Sequence, residues 1–271
     1  MSKAAAIQLA SSANVDANLL ETGKLVEQAA RSQARLVVLP ENFAFMGRTR
    51  DLLGIREPHG LGPLQEFLSR LARKHGIWLV GGTIPLQAKD PNKARAASLV
   101  FNDQGEQVAR YDKMHLFDVD LAETGEHYRE SDDMEPGTGP VTVDTPFGRL
   151  GLAVCYDLRF PELFRSLSTA GVDIIAAPSA FTALTGKAHW EILTRARAVE
   201  NLAYVVAADQ GGLYDNGQET HGHSMIVNPW GRILAARERG AGAVVAEIDL
   251  DYLRAARRDI PCLAHRRIGC H

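Results

Sequence analysis

Two stretches of the chain share one pattern, a short continuous apolar run that ends at a proline and continues into a polar residue and an aromatic one. They are "RLVVLPENFAF", residues 35–45, and "DIIAAPSAF", residues 173–181. An uninterrupted apolar run of this length is typical of a strand that is buried on both faces of its sheet. The chain is therefore constrained to form sheets that other layers cover on both sides.

Helices and further strands follow each of these runs, so the two halves of the chain repeat one order of elements. Apolar spacing predicts helices over residues 16–34, 61–75, 161–170 and 188–200. Strands are predicted in the segments 4–10, 35–40, 77–84, 98–113, 142–155, 172–178, 203–208, 223–236 and 243–250. The repeat favours an α/β fold with a four-layer α-β-β-α sandwich over the alternative of a doubly wound single sheet. Because no linker rich in Gly, Ser or Pro divides the halves, we expect one domain over residues 1–271.

Composition and charge exclude several classes of protein. The 271 residues are 45% hydrophobic and 23% charged, with a formal net charge of -3. These values are close to those of globular domains and lack the basic excess of a nucleic-acid-binding protein. The opening "MSKAAAIQLA" has no signal-peptide core, and the apolar runs are too short to span a bilayer. We expect a cytoplasmic protein with neither nucleic-acid nor membrane partners.

The three cysteines, Cys155, Cys262 and Cys270, are odd in number and widely spaced. This pattern argues against a disulfide framework, and a CxxC zinc motif is absent. Cys262 and Cys270 follow no predicted buried strand and lie near the end of the chain, so we expect them to be dispensable. Cys155 differs because it comes directly after the apolar run "LGLAV".

Two other reactive residues also follow predicted strands, Glu41 after "RLVVLP" and Lys113 after "QVARYD". Strand ends build the sites of α/β folds, and a thiol needs a base or a cation to react at neutral pH. Glu41 could take the proton of Cys155, while Lys113 and the Tyr156 N–H could stabilise an oxyanion. The alternatives are an inert buried cysteine, a helix-capping glutamate and a surface lysine.

Histidines offer a rival site. His221 and His223 are two residues apart in "HGHS", and His115 and His189 lie elsewhere, so a Cys–His hydrolase or a metal site is conceivable. However, there is no HExxH motif and no carboxylate at ligand spacing. Glycine-rich phosphate loops are absent as well. We therefore expect neither a metal nor an organic cofactor.

Several motifs together resemble the nitrilase superfamily of carbon–nitrogen hydrolases. "LVVLPENFAF" is similar to its glutamate motif, "YDKMHLFDVD" to its lysine motif and "GLAVCYDLRFPELFR" to its cysteine motif. The similarity extends from about residue 4 to about residue 267. It implies that Cys155 is a nucleophile, Glu41 a general base and acid, and Lys113 an oxyanion stabiliser. It also implies the sandwich fold and the pairing of two subunits into a homodimer or larger oligomer.

A second glutamate is implied by the segment "HYRESDDMEPG", in which Glu130 takes the matching position. Its implied role is to hold Lys113 and to orient the attacking amine or water. The alternative is an ordinary salt bridge in a loop.

Within the superfamily, "KMHLFDVD", "YRESD" and "HGHSMIVNPWG" resemble the Nit branch, whose members are amidases acting on small carboxylate-bearing amides. The resemblance favours deaminated glutathione as substrate, cleaved to an acid and an amine or ammonia. The alternatives are an ω-amidase acting on 2-oxoglutaramate or 2-oxosuccinamate, an N-carbamoyl-amine or nitrile hydrolase, and a binding protein on the same fold. The ending "RRIGCH" departs from the branch from about residue 268.

A carboxylate-bearing substrate requires a cation besides Lys113. The candidates are Arg48, Arg129 and Arg159, and for Arg159 we favour a pairing with Asp157 or Glu162 that braces the cysteine loop. Tyr156, Phe181 and Arg48 are expected to contact the substrate. Phe45 and Phe181 could line the pocket or could simply belong to the core.

Overall fold

Strands form two facing sheets in the computed structural model, which describes residues 2–123, 125–214 and 219–268. In the described residues the strands are β1 Ser2–Gln8, β2 Ala34–Val38, β3 Trp78–Val80, β4 Ile84–Gln87, β5 Ala94–Phe101, β6 Gln107–Asp112, β7 Asp118–Leu121, β8 Glu126–Arg129, β9 Thr142–Thr145, β10 Gly148–Leu152, β11 Ile174–Ser179, β12 Tyr204–Asp209, β13 Ser224–Val227, β14 Ile233–Arg237 and β15 Gly242–Ile248. The first sheet has the order β15-β1-β2-β3-β5-β4, with β6 also paired to β5. The second has the order β14-β13-β12-β11-β10-β9, and β7 and β8 form a separate hairpin.

The helices of the described chain are α1 Val15–Arg31, α2 Pro63–His75, α3 Glu130–Asp133, α4 Pro161–Thr169, α5 Ala183–Asn201 and α6 Leu250–Asp259. Helices α1 and α2 pack on the outer face of the first sheet, and α5, with α4 beside it, packs on the second. The predicted four-layer sandwich is therefore confirmed, and the single doubly wound sheet is wrong because the strands divide between two sheets. None of the described helices has the length and apolar character needed to cross a membrane.

Strand β1 of the first sheet is buried on both faces over residues 4–8, as its uninterrupted apolar run requires. Ala4 and Ala6 belong to the core between the two sheets, whereas Ala5 and Ile7 belong to the core beneath the outer helices. Successive side chains of a strand point to opposite faces, so one short run contributes to two cores at once. The sandwich thereby buries the strand ends, where the chemically reactive residues lie.

The strand predicted over residues 77–84 is two strands, β3 and β4, separated by a glycine turn. Gly82 has a φ of 55°, and a Cβ there would lie only 2.1 Å from the carbonyl oxygen of Pro40. Only glycine tolerates both the backbone conformation and the close approach. The turn lets the chain pass directly against the residue that precedes Glu41.

Several elements escaped prediction or began elsewhere, among them β7, β8, α3, α5 and α6. The β7–β8 hairpin lacks an apolar run, and α6 buries only Leu253 and Ala256, so neither has a strong periodic signal. Helix α5 begins five residues earlier than expected, since Thr182 caps it by accepting a hydrogen bond from the Thr185 N–H. Cys262 is partly buried, whereas Cys270 lies outside the described residues.

Candidate active site

A single cavity of about 290 Å³ collects most of the predicted site residues. Its lining includes Glu41, Arg48, Lys113, Glu130, Cys155, Tyr156, Arg159 and Phe181, together with Phe45, Phe117, Tyr128, Arg129, Thr182 and Thr185. Glu41, Lys113, Glu130, Cys155 and Phe181 are far apart in the sequence, and they converge there because they follow the ends of the strands β2, β6, β8, β10 and β11, respectively.

Lys113 is held between two carboxylates. Its Nζ donates to Glu41 Oε1 at 2.8 Å and to Glu130 Oε1 and Oε2 at 3.1 and 2.9 Å. The lysine side chain is only 2% exposed, and the glutamates are 5% and 15% exposed. The Phe117 N–H also donates to Glu130 at 2.6 Å, so the second glutamate is fixed by backbone as well as by lysine.

The charges of this group are strongly coupled. Burial disfavours the charged form of Lys113, but the neighbouring Glu130 and Glu41 outweigh it and leave the lysine pKa well above its ordinary value. Burial raises the pKa of Glu130, against the opposing effect of Lys113. At neutral pH the site therefore presents a permanent ammonium group.

Cys155 is 7% exposed and begins a short 3₁₀ helix, Cys155–Arg159, with a φ of 47°. Burial raises its pKa well above the ordinary value, and the charge of Glu41 adds to this. Lys113 and a hydrogen bond with the backbone of Ala180 only partly offset these effects. The resting thiol is therefore protonated, and any reaction through its sulfur would require a base to remove the proton.

The expected pairing of Arg159 with Asp157 or Glu162 is wrong. The Arg159 Nη1 lies 3.1 Å from His189 Nδ1, and its guanidinium carbon lies 5.7 Å from the ring centre of Tyr156 and 5.4 Å from that of Phe181. Asp157 is fully buried and accepts its hydrogen bonds from other residues, among them Tyr111 at 2.7 Å. This role of Asp157 could not be predicted from the sequence, since no local pattern links it to a tyrosine 46 residues away.

The other two candidate cations are already paired. Arg48 Nε lies 3.1 Å from Asp51 Oδ2, and Arg129 Nη2 lies 2.8 Å from Asp120 Oδ1. Both arginine side chains are well exposed, at 83% and 48%. They line the cavity, but each has a carboxylate partner of its own.

Aromatic side chains form much of the remaining wall, among them Phe45 and Phe181, which were expected to line it or to belong to the core, and Tyr156. Phe181 packs edge-on against Trp190 with ring centres 5.0 Å apart. Tyr156 packs edge-on against Phe117 at 5.1 Å. These contacts hold the rings in place beside Cys155 and make one side of the cavity apolar.

Among the described histidines only His127 lines the cavity, and its Nδ1 lies 2.7 Å from Asp120 Oδ1. His221 and His223 stack on each other at 4.3 Å and are absent from the cavity lining. Burial, with a smaller contribution from His223, lowers the pKa of His221 to about 4. Across residues 2–123, 125–214 and 219–268, no group of three or more His, Cys, Asp or Glu side chains is arranged to hold a metal ion. The Cys–His and metal alternatives therefore find no support in this geometry.

The model of the carbon-nitrogen hydrolase family matches residues 3–258 of the chain. The chain belongs to the carbon–nitrogen hydrolase family. The match covers most of the chain and confirms the predicted resemblance to the nitrilase superfamily, and with it the prediction of an enzyme that hydrolyses amide carbon–nitrogen bonds.

Individual relatives point to the same branch. The deaminated glutathione amidase of Yersinia enterocolitica is 41% identical over 264 residues, covering 97% of this chain and 92% of the relative. The C. elegans NitFhit protein superposes with a TM-score of 0.89 at 38% identity, covering 100% of this chain and 66% of that one. Saccharomyces cerevisiae Nit3, a member of branch 10 of the nitrilase superfamily, superposes with a TM-score of 0.88 at 34% identity and covers 98% of this chain and 97% of its own. The chain thus spans about two thirds of NitFhit and nearly all of Nit3.

Proposed function

We propose that this carbon–nitrogen hydrolase is an amidase that cleaves deaminated glutathione through Cys155, Glu41 and Lys113. The observation that carries the proposal is the buried Lys113, which lies 2.8 Å from Glu41 in the same cavity as the protonated thiol of Cys155. Relatives about 40% identical over nearly the whole chain carry the name deaminated glutathione amidase, which supports the substrate.

The negative charges of this substrate complement the positively charged side chains of the cavity. Deaminated glutathione is glutathione with an oxo group in place of its α-amino group, so it carries a carboxylate at each end and two amide bonds between them. Hydrolysis of the amide next to the oxo acid yields 2-oxoglutarate and a dipeptide amine. A cavity with an ammonium at its base and arginines along its wall suits such a dianion.

In the proposed acylation step, Glu41 accepts the thiol proton as the Cys155 sulfur attacks the amide carbon. The carbonyl oxygen becomes an oxyanion, which the Lys113 ammonium and the Tyr156 N–H stabilise. Glu41 then gives the proton to the nitrogen as the carbon–nitrogen bond breaks. A neutral dipeptide amine leaves, and a thioester to Cys155 remains.

Deacylation reverses these proton movements with water in place of the amine. Glu41 removes a proton from the water as its oxygen attacks the thioester carbon, and Lys113 again faces the oxyanion. Collapse breaks the carbon–sulfur bond, releases the acid and returns the proton to the sulfur. Glu130 supports both steps by holding Lys113, to which it is bonded at 2.9 Å. Every proton carrier and cation in this scheme is a side chain, so we propose that the reaction needs no metal or organic cofactor.

Comparison of two substrates with the same acyl half tests the proposal. We expect kcat/KM for deaminated glutathione to exceed that for 2-oxoglutaramate by about tenfold or more, because only the first offers the carboxylate of the leaving dipeptide to the cavity. Release of 2-oxoglutarate measures both reactions. The opposite preference would identify an ω-amidase. Hydrolysis of a nitrile or an N-carbamoyl amine lacking carboxylates would identify another branch, and no turnover at all would favour a binding protein.

Arg159 is the cation that we propose to bind a substrate carboxylate. Among the described residues it faces the cavity without an ion pair, whereas Arg48 and Arg129 are paired with aspartates. Arg159→Met should therefore raise KM about 10- to 100-fold, the value of a charge-assisted hydrogen bond, with a smaller effect on kcat. Arg254→Met, which breaks only an exposed ion pair with Asp251, is the matched control. A larger rise in KM for Arg48→Met would instead place the carboxylate at the mouth of the cavity.

Three further expectations stay predictions. They are the single domain over residues 1–271, assembly into a homodimer or larger oligomer, and a cytoplasmic location. The family match over residues 3–258 supports the first of them. Light scattering of the purified chain would measure the second directly.

A further inference from the structure

A buried carboxylate joins the lysine segment to the cysteine turn. Asp157 is 0% exposed, and four donors surround it. Its Oδ2 accepts from Tyr111 Oη at 2.7 Å and from the Val154 N–H at 2.8 Å. Its Oδ1 accepts from the His115 N–H at 3.1 Å and from His115 Nδ1 at 2.6 Å.

The donors come from two separate parts of the site. Tyr111 and His115 lie two residues before and two residues after Lys113, and Val154 immediately precedes Cys155. The Met114 N–H also points to Tyr111 Oη, at 3.4 Å. One carboxylate therefore holds the chain on both sides of the lysine and the chain entering the cysteine turn.

We infer that Asp157 is a positioning residue that sets the Lys113 ammonium against the Cys155 thiol. The inference rests on the proposed function of those two groups. Lys113 follows a strand of the first sheet and Cys155 follows a strand of the second, so their relative position depends on contacts that cross from one sheet to the other. The four bonds of Asp157 form such a crossing contact close to both residues.

The chemistry of the donors makes this contact rigid. Burial, together with the charge of Asp157, raises the pKa of Tyr111, so the phenol remains a hydrogen-bond donor. The His115 ring stacks on Phe160 with ring centres 3.7 Å apart and planes 6° from parallel, which fixes the direction of its Nδ1. A buried carboxylate tolerates its environment only when its oxygens are fully bonded, so displacement of either segment is disfavoured.

Positioning matters here because the oxyanion stabiliser and the nucleophile act on one carbonyl group. A displacement of about 1 Å in an active site lowers the rate up to about 100-fold. It also places the ammonium farther from the sulfur, which weakens the stabilisation of the thiolate. Loss of a bond to Asp157 should therefore reduce kcat and the reactivity of Cys155 together, while KM changes little.

The test compares two buried tyrosines whose hydroxyl groups each donate one hydrogen bond and accept another. Tyr111→Phe removes the bond to Asp157 and the longer one from the Met114 N–H. Tyr204→Phe removes the bond to the Asp249 carbonyl oxygen, at 3.1 Å, and the bond from the Asp249 N–H, at 3.2 Å. We expect Tyr111→Phe to lower kcat about 10- to 100-fold with KM within about twofold, and to slow alkylation of Cys155 by iodoacetamide to a similar extent. Tyr204→Phe should leave both rates within about twofold of wild type. Mass spectrometry of the peptide containing Cys155 separates its alkylation from that of the other cysteines.

Two variants of His115 provide a rescue experiment. Asparagine keeps a donor near the position of Nδ1, whereas leucine keeps the bulk and loses the donor. His115→Asn should therefore retain more kcat and faster alkylation than His115→Leu. Equal rates for Tyr111→Phe and Tyr204→Phe, or for the two His115 variants, would overturn the positioning role. A wild-type chain that hydrolyses no amide would refute the proposed function alone, since the alkylation rates would still test Asp157.

Discussion

Replacement of Cys155 by alanine is expected to reduce amide hydrolysis by about 10⁴-fold or more while leaving the protein folded. The sulfur forms the covalent bond of the thioester, and no other side chain of the cavity supplies an equivalent nucleophile in the proposed scheme. Alanine fits the same buried position, which is 7% exposed, so the free energy of unfolding should change by about 1 kcal/mol or less. Steady-state release of 2-oxoglutarate and thermal unfolding measure the two effects.

Cys262→Ala is the matched control for this variant. Cys262 is partly buried in a separate cavity beside Trp230 and Arg266, so its loss should leave turnover unchanged. Substantial hydrolysis by Cys155→Ala, or equal losses in the two variants, would remove Cys155 from the mechanism.

Lys113→Met is expected to abolish turnover and also to destabilise the fold. The lysine is 2% exposed between Glu41 and Glu130, and its removal leaves two buried carboxylates without a cation. Removing one partner of a buried ion pair lowers the free energy of unfolding by about 3–5 kcal/mol, because the remaining charge is uncompensated. Activity should fall about 10³-fold or more, since the oxyanion loses its ammonium partner.

The stability of the Lys113→Met variant should fall as the pH rises. Burial and Glu41 already raise the pKa of Glu130 in the folded chain, and Lys113, with a smaller contribution from the Phe117 N–H, opposes them. Without the lysine, the folded state binds a proton more tightly than the unfolded state does, so stability is lost as the pH rises above the unfolded pKa of a glutamate. The unfolding temperature of Lys113→Met should therefore be closer to that of the wild type at pH 5 than at pH 8.

A double variant separates the two effects of the lysine. Lys113→Met with Glu130→Gln removes one of the stranded charges and should recover part of the lost stability, but no activity. Recovery of activity in the double variant would contradict the role of Lys113 at the oxyanion. An unchanged unfolding temperature for Lys113→Met alone would contradict the buried charge network.

The prediction of the layered fold depended on a property that each segment carries by itself. Runs such as "RLVVLP" are apolar at every position, and the structure buries alternate residues of the first sheet in two different cores. Glu41, Lys113 and Cys155 were found in the same way, as reactive residues that follow strands. The β7–β8 hairpin escaped prediction because its residues are mostly polar and partly exposed.

The amino-acid sequence alone thus determined the buried strands, the main helices and the residue types available at the strand ends, because burial leaves a local periodic pattern. Tertiary structure alone decided which of those ends meet. It directed Asp157 to Tyr111 and His115 rather than to Arg159, and it kept His221 and His223 out of the cavity. The physical reason is that hydrogen bonds between residues 42 and 46 positions apart depend on how two sheets pack, and packing is a property of the whole chain.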